Sequence, residues 1–467
     1  SPGGRQAGPS DNGLPRPGGM VRAPLVRERR GGPAAVRRTS RRRSGGPIRL
    51  LDVELTDPIA EQLPAGNHER VRILVRLHGH PLGTVDLPAG GAGVGSIDPA
   101  LVAAAVWDQL AERIVGHCEH DGLDAPETLT VDGFDHPAVT ACSWRCSRPG
   151  APFPFATVGI TTCGGPGSRL ATTVRGALAQ SYPSFEVVVV DNRPSTSGVP
   201  ALLDGAFPSE ARLRYVAEPA PGLSHARNAG AAAATGELVA FTDDDVALDS
   251  DWLAYLIAGF DDPAVACVTG LILPLELETD AQRLLEEFGG YAKGFDRKRW
   301  DLDTHRPDNA LYPYTVGAFG SGASAAFRGD ALAAIGGFDN ALGAGTAARG
   351  GEDIDIYVTC VQHGYQIVYE PAAIIRHAHN REMDQVHQKV RDYGVGLGAM
   401  LTKHLFRDWP TFVAMLTRLP LGARHLLGRD STKNAGRTGS YPASLIAAEL
   451  AGLVYGPFAY LRSRRSS

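Results

Sequence analysis

The chain has 467 residues, 43% of them apolar and 21% charged, enough to bury a sizeable core in one large or two smaller domains; a disulfide-scaffold peptide and a wholly disordered chain are excluded. Glycine and proline number 56 and 33 without a collagen-like period, so part of the chain is loop or tail. The formal charge of −5 is uneven: residues 1–46 hold eleven Arg against Asp11 and Glu28, about +9, which leaves roughly −14 for the remainder.

Residues 1–46 are rich in Pro, Gly and Ser and almost free of aromatics, so they cannot bury enough surface to offset their ordering entropy and read as a disordered basic tail. The run Arg37, Arg38, Arg41, Arg42 and Arg43 attracts polyanions without specificity. No specific nucleic-acid partner is expected, because no aromatics interleave for base stacking. Met20 is a candidate natural start. No apolar run of signal-peptide type stands near the N-terminus, so export by that route is not expected. Six scattered cysteines fit a reducing cytoplasm. Of these, Cys118, Cys142 and Cys146 with His120 come nearest to a zinc set, but the spacing is loose and no zinc is expected there.

Residues 47–150 read as a small accessory α+β unit. Alternating runs at Ile48–Leu55, Val71–Leu77 and Leu82–Leu87 predict an antiparallel sheet, followed by a helix over Pro99–Val115. A packing or oligomerisation module without chemistry of its own is the expectation. Over residues 151–385 the pattern becomes α/β: strands at Ala156–Thr161, Phe185–Asp191, Arg212–Val216 and Glu237–Thr242 alternate with helices at Leu170–Ala179, Val199–Phe207 and Ser224–Ala234. Thr161, Asp191 and Asp243 stand at the carboxyl ends of strands, where open parallel sheets bind ligands, so the three should converge.

The run Phe241-Thr242-Asp243-Asp244-Asp245 packs three mutually repelling carboxylates at a strand end, an arrangement that suits a divalent cation and ribose hydroxyls. A second pair, Glu352 and Asp353, follows a glycine loop and opens an amphipathic helical stretch through Ile354, Tyr357, Val358 and Val361. Helix capping is the plain structural alternative. Arg376-His377-Ala378-His379 ends a strand-like run, placing two imidazoles on one side of an extended segment.

The stretch Thr157-Val158-Gly159-Ile160-Thr161-Thr162, the run Gln180-Ser181-Tyr182-Pro183 leading to Val190-Asp191-Asn192, the segment Gly222-Leu223-Ser224-His225-Ala226-Arg227-Asn228 and the Asp243 run together resemble the family 2 glycosyltransferases, over about Phe155 to His379. The resemblance implies a GT-A fold, a nucleotide-diphosphate sugar donor, usually UDP-linked, and a Mn²⁺ or Mg²⁺ ion. It further implies that Thr161 and Asp191 line the nucleoside pocket, that Arg227 approaches base or phosphates, and that Asp243 and Asp244 contact the donor. Asp243 and Asp245 with His377 would hold the metal, His379 being the second choice. Asp353 takes the family's place for the catalytic base, with Glu352 orienting the acceptor or loop. Direct attack by an acceptor hydroxyl would invert the anomeric centre. After the strand-end Asp the family often has Asp-Gly-Ser, whereas Asn192-Arg193-Pro194-Ser195 stands here, leaving the base unassigned. The acceptor class stays open among glycan, lipid-linked and small-molecule hydroxyls, and a scaffold protein that has lost catalysis is the alternative reading.

Residues 386–467 form a helical extension, with helices at Val386–Phe406, Trp409–Leu427 and Tyr441–Leu461. Glu449 and Pro457 argue against the last as a membrane span, and Arg462, Arg464 and Arg465 beside it favour ordinary packing or an interfacial helix. The expected location is cytoplasmic, with the inner face of the cell membrane as the alternative; the oligomeric state is open.

Overall fold

The computed structural model describes residues 46–407 except 64–69, 89–96, 138–140, 147–151, 166–167 and 315–316, scattered positions between 409 and 422, and residues 442–466. Most of the expected basic tail, and most of the expected Trp409–Leu427 helix, lie outside the described residues.

The chain begins with three strands, Ile48–Glu54 (β1), Arg70–Leu77 (β2) and His80–Pro88 (β3), with a short helix Ile59–Gln62 (α1) between the first two. The expected antiparallel sheet is corrected in part. β2 and β3 form an antiparallel hairpin, but β1 runs parallel to β2, pairing Ile48 with Arg70 through Glu54 with Arg76. Alternation is the same in either direction; the long α1-containing connection is what permits a crossover and a parallel partner. Helix Pro99–His120 (α2), capped by Asp98 accepting from the Ala100 N–H at 2.9 Å, lays Val102, Val106, Leu110 and Ile114 against Val71, Ile73, Val75 and Val85 of the sheet. A 3₁₀ turn at Trp144–Cys146 leads onward.

The second sheet has nine strands. In chain order the elements are Ala156–Thr162 (β4), Leu170–Leu178 (α3), Phe185–Asp191 (β5), Val199–Ala206 (α4), Leu213–Ala217 (β6), Leu223–Ala233 (α5), Leu238–Asp243 (β7), Val246–Leu248 (β8), Trp252–Ala258 (α6) and Val265–Pro274 (β9). Asp280–Gly289 (α7), Lys298–Trp300 (β10), Ser324–Arg328 (β11), Gly329–Ala334 (α8), Glu352–Gln362 (α9), Gln366–His377 (β12), Met383–Leu405 (α10) and Ala443–Ser463 (α11) follow. The sheet order is β10-β12-β9-β11-β7-β4-β5-β6, with β8 also on β12. β4, β5, β6 and β7 are parallel, and β11 is inserted antiparallel between β7 and β9. The expected strands and helices of this half are all present, within a residue or two at each end.

The core follows from strand alternation. Val158, Ile160, Val187, Val189 and Ala240 meet Trp252, Leu253 and Leu256 on one face, while Val239 and Phe241 meet Phe327, Phe338 and Tyr357 on the other. Both faces are covered, which is why these strands are apolar almost throughout. Trp252, fully buried, also donates its indole N–H to Ser324 Oγ at 2.9 Å, so the deepest aromatic leaves no polar atom unpaired.

Residues 45–467 make one unit. The accessory sheet is stapled to the large one: Arg76 of β2 reaches Asp249 and Asp52 at 2.7 Å each, and Arg376 of β12 pairs with Asp52 of β1. At the C-terminus α10 and α11 run side by side at close backbone contact. A Cβ on Gly398 would meet the Leu453 carbonyl at 2.4 Å, and one on Gly456 would meet Gly398 Cα at 2.5 Å. Asp355 of α9 accepts from Lys403 (2.7 Å) and His404 (3.0 Å) of α10, tying the helical pair to the sheet.

Candidate active site

Three strand ends define the floor of the site. Register places Thr161 of β4 opposite Asp243 of β7, and Thr162 opposite Asp191 of β5, so the expected convergence is met in the backbone. The side chains divide the work differently. Asp191 is fully buried and its carboxylate is spent locally, accepting from the Arg193 N–H at 2.9 Å, from Tyr215 Oη at 3.1 Å and from Ser197 Oγ. Neither Asp191 nor Thr161 lines the large cavity described below. Asp244 turns back toward β4 and accepts from Thr162 Oγ1; burial pushes its carboxyl up to about 6.

Asp243 and Asp245 face His377, which ends β12. His377 Nε2 lies 3.6 Å from Asp243 Oδ2 and 3.4 Å from Asp245 Oδ1, and one ligand atom from each of the three falls within 4.8 Å of the others. The antiparallel pairing of β8 with β12 sets this meeting, opposing His377 to Val246 just past the Asp run. His377 Nδ1–H donates to the Ala378 carbonyl at 2.8 Å, which fixes the tautomer with Nε2 turned to the carboxylates. The two carboxylates are 30% and 39% exposed, open enough to receive a ligand. His379 does not join them; its Nε2 pairs with Glu286 at 3.1 Å. Two carboxylate oxygens and an imidazole nitrogen form a donor set that suits Mn²⁺ and, less well, Mg²⁺.

Burial works to raise the Asp243 carboxyl, but His377 and Arg227 outweigh it and hold it below the usual carboxylate range. Asp245 goes the other way, raised by burial. Burial would lower the His377 imidazole, yet the two aspartates hold it above its ordinary value. A cation entering here displaces that proton.

Arg227, only 2% exposed, bridges the halves of the site, with Glu352 Oε1 at 3.0 Å and Asp243 Oδ1 at 3.5 Å. A Cβ at Gly322 would stand 2.7 Å from the guanidinium nitrogens, so this glycine makes room for the bridge. Glu352 is raised by burial and by its neighbour Asp353. Asp353 instead faces the cavity, accepting from the Gly322 N–H at 3.2 Å and the Ile354 N–H at 2.8 Å. No side chain caps α9; its N-terminal residue follows Gly351 at φ 88°, where a Cβ would strike the Gly396 carbonyl at 2.4 Å. The glycine loop thus serves close packing of the carboxylate-bearing helix end onto α10.

Arg227, Asp243, Glu352, Asp353 and His377 share a cavity of about 1270 Å³. Sequence reading missed four of its lining residues, Tyr291, Lys293, Lys389 and Tyr393. The Tyr291 ring stands 5.4 Å from that of His377, its hydroxyl is 2.7 Å from that of Tyr393, and Lys389 lies 5.4 Å over its face. Lys389 and Tyr393 are four apart on α10, which was the available signal. Burial lowers the Lys293 ammonium.

Residues 157–336 match the family described as Glycosyl transferase family 2. This segment is similar to the family 2 glycosyltransferases. The matched segment lies in the mixed α/β sheet with helices beyond it, in keeping with the α/β fold that the resemblance implied. Among relatives, the "Pre-mycofactocin glycosyltransferase" of Mycobacterium tuberculosis is 27% identical over 248 residues, 53% of this chain and 47% of that protein. The "Succinoglycan biosynthesis protein ExoM" of Rhizobium meliloti is 28% identical over 274 residues, 57% of this chain and 77% of that one. The "Glucosyl-dolichyl phosphate glucuronosyltransferase" of Haloferax volcanii is 24% identical over 213 residues, 44% of this chain and 63% of that one. The chain therefore spans about half the length of the mycobacterial relative. A solved mannosyltransferase of Pyrobaculum calidifontis, in complex with GDP-Man and Mn²⁺, superposes with a TM-score of 0.44 at 21% identity, covering 65% of this chain and 87% of that one.

Proposed function

We propose that this chain is an inverting, metal-dependent glycosyltransferase that moves a sugar from a nucleotide-diphosphate donor, UDP-linked, to an acceptor hydroxyl. The observation that carries the reading is the meeting of Asp243 and His377 with Asp353 around one cavity, with Asp245 completing the donor set beside it, from strand ends and a helix start far apart in the chain. Asp243, Asp245 and His377 would hold a divalent cation. When bound, it supplies positive charge against the departing diphosphate.

The remaining chemistry belongs to side chains. The acceptor oxygen attacks the anomeric carbon, the bond from that carbon to the diphosphate oxygen breaks on the opposite face, and the acceptor proton passes to the Asp353 carboxylate. A positioned base of this kind contributes about 10²- to 10⁴-fold. Glu352, locked to Arg227, acts as a positioning residue that keeps the loop and Asp353 in place. Arg227, ion-paired with Glu352 and Asp243, holds the donor half against the acceptor half. Thr161, Asp191 and Asp244 shape the nucleoside end through the strand tips. Lys293 and Lys389 add cationic charge on the cavity wall, and the paired Tyr291 and Tyr393 hydroxyls offer a sugar-facing surface.

For the acceptor, the names of the relatives point to pre-mycofactocin, succinoglycan and glucosyl-dolichyl phosphate, and a hydroxyl on a small molecule, a glycan or a lipid-linked sugar is the proposed target. The location is the cytoplasm, with peripheral contact at the inner membrane face through α11.

Calorimetric titration of UDP, GDP and dTDP, with Mn²⁺ and with chelator, tests this directly. One nucleotide should bind in a metal-dependent way and lose that binding in Asp245→Asn. Folded protein that binds none of them would favour a scaffold that has lost catalysis.

A further inference from the structure

A second cluster of metal-ligating side chains lies outside the glycosyltransferase site, in the accessory unit. His78 stands at the β2–β3 turn, His117 and Asp121 at the end of α2, and Cys142 on the segment that leads to Trp144. His78 Nδ1 is 2.6 Å from Asp121 Oδ2, His117 Nε2 is 3.5 Å from the same oxygen, and Cys142 Sγ is 3.5 Å from His117 Nε2. One ligand atom from each of the four lies within 4.8 Å of all the others. A tetrahedral zinc ion with bonds of about 2.0–2.3 Å separates its ligand atoms by about 3.3–3.8 Å, so small adjustments suffice. The Asp121 side chain is fully buried and that of His78 is 4% exposed.

The surroundings orient each donor. His78 Nε2 is 3.0 Å from His136 Nδ1, which leaves Nδ1 for the cluster. Asp121 Oδ1 accepts from the Cys142 N–H at 2.8 Å, leaving Oδ2 to face inward. His80 Nε2 donates to the Cys142 carbonyl at 2.9 Å and so holds the loop that carries the sulfur. Outer partners of this kind are what fixes ligand tautomers in metal centres. His78 also sits at φ 55°, a left-handed conformation that a histidine adopts only at some cost, and the hairpin turn into Gly79 thereby aims its ring at Asp121.

We propose that His78, His117, Asp121 and Cys142 form a structural zinc site. A thiolate and two imidazoles select zinc over the hard cations of the glycosyltransferase centre, and four protein ligands leave no open position for chemistry. The ligand set corrects the one that sequence spacing offered: Cys142 takes part, but Cys118 is buried in the accessory core and Cys146 and His120 are exposed. The ion would clip the hairpin and α2 to the segment whose Trp144 donates to Asp251 at 3.0 Å, just before α6.

The test uses the untagged full-length chain. Elemental analysis after dialysis against a chelator should find about one zinc per chain, retained in Asp245→Asn and lost in Cys142→Ala and His117→Ala. Because those variants could unfold, Co²⁺ is also titrated into wild type first stripped of its zinc at acid pH with excess chelator and returned to neutral pH, where a thiolate-to-cobalt charge-transfer band is expected. Wild type lacking both zinc and that band, or a folded Cys142→Ala that keeps its zinc, overturns the proposal.

Discussion

At the scale of single residues, the two carboxylates that open α9 have been given different tasks by their surroundings. Glu352 is buried against Arg227, whereas Asp353 looks into the cavity with only backbone N–H groups to hold it. Asp353→Asn keeps the shape and the hydrogen-bond acceptor but removes the base, so kcat should fall by about 10²- to 10⁴-fold while calorimetric nucleotide binding stays unchanged. A loss of binding in step with turnover would instead assign Asp353 to the donor. The strand-end position of Asp243 and the shared side of His377 and His379 were legible in the sequence, but the joining of His377 to Asp243 and Asp245 was implied only by the family resemblance. Tyr291, Lys293, Lys389 and Tyr393 were not legible, since they reach the cavity only through the docking of α10 and the segment after α7, which no local pattern encodes. Nor did the sequence show that Asp191 would spend its carboxylate on Ser197, Tyr215 and its own turn.

At the scale of elements, the alternating strands and intervening helices of the large sheet could be read from apolar periodicity, since both of its faces are buried and the helices have one apolar side. Strand direction could not, as β1 shows: the same alternation serves a parallel or an antiparallel neighbour. The α10–α11 contact was equally hidden, because glycines that admit a second backbone look like weak helix positions until the partner helix is in place. Gly398→Val pushes a side chain into the Leu453 carbonyl, 2.4 Å from the added Cβ. It should cost about 1–3 kcal/mol, read as a lowered thermal midpoint, and should reduce turnover as well, since Gly396 of the same helix backs Gly351. A variant with an unchanged midpoint would show that the two helices do not pack this closely.

Across the whole molecule, α11 is the one helix among the described residues long and apolar enough to cross a membrane by length and composition. It packs one side on α10 through Leu445, Gly452, Gly456 and Ala459, and turns Val454 (80% exposed), Phe458 and Leu461 outward, with Arg462 and Arg464 beside them. That division suits lying on a bilayer rather than crossing it. Flotation with anionic vesicles should recover the wild-type chain, and Val454→Asp with Phe458→Asp should lower the bound fraction about tenfold or more. Equal recovery of both proteins would assign this face to something other than lipid.

The Arg376 to Asp52 pair reaches further than a surface staple. Arg376 immediately precedes His377 on β12, and its counter-ion belongs to the first strand of the chain. Leu74, from the middle of the accessory hairpin, is likewise embedded among core residues of the glycosyltransferase sheet. A boundary drawn near residue 150 by sequence composition is therefore a poor place for recombination. Grafting a foreign N-terminal module there would leave the Arg376 guanidinium without its Asp52 counter-ion, one residue before the imidazole that faces Asp243 and Asp245, so swapped chimaeras should fail at the active site before they fail to fold.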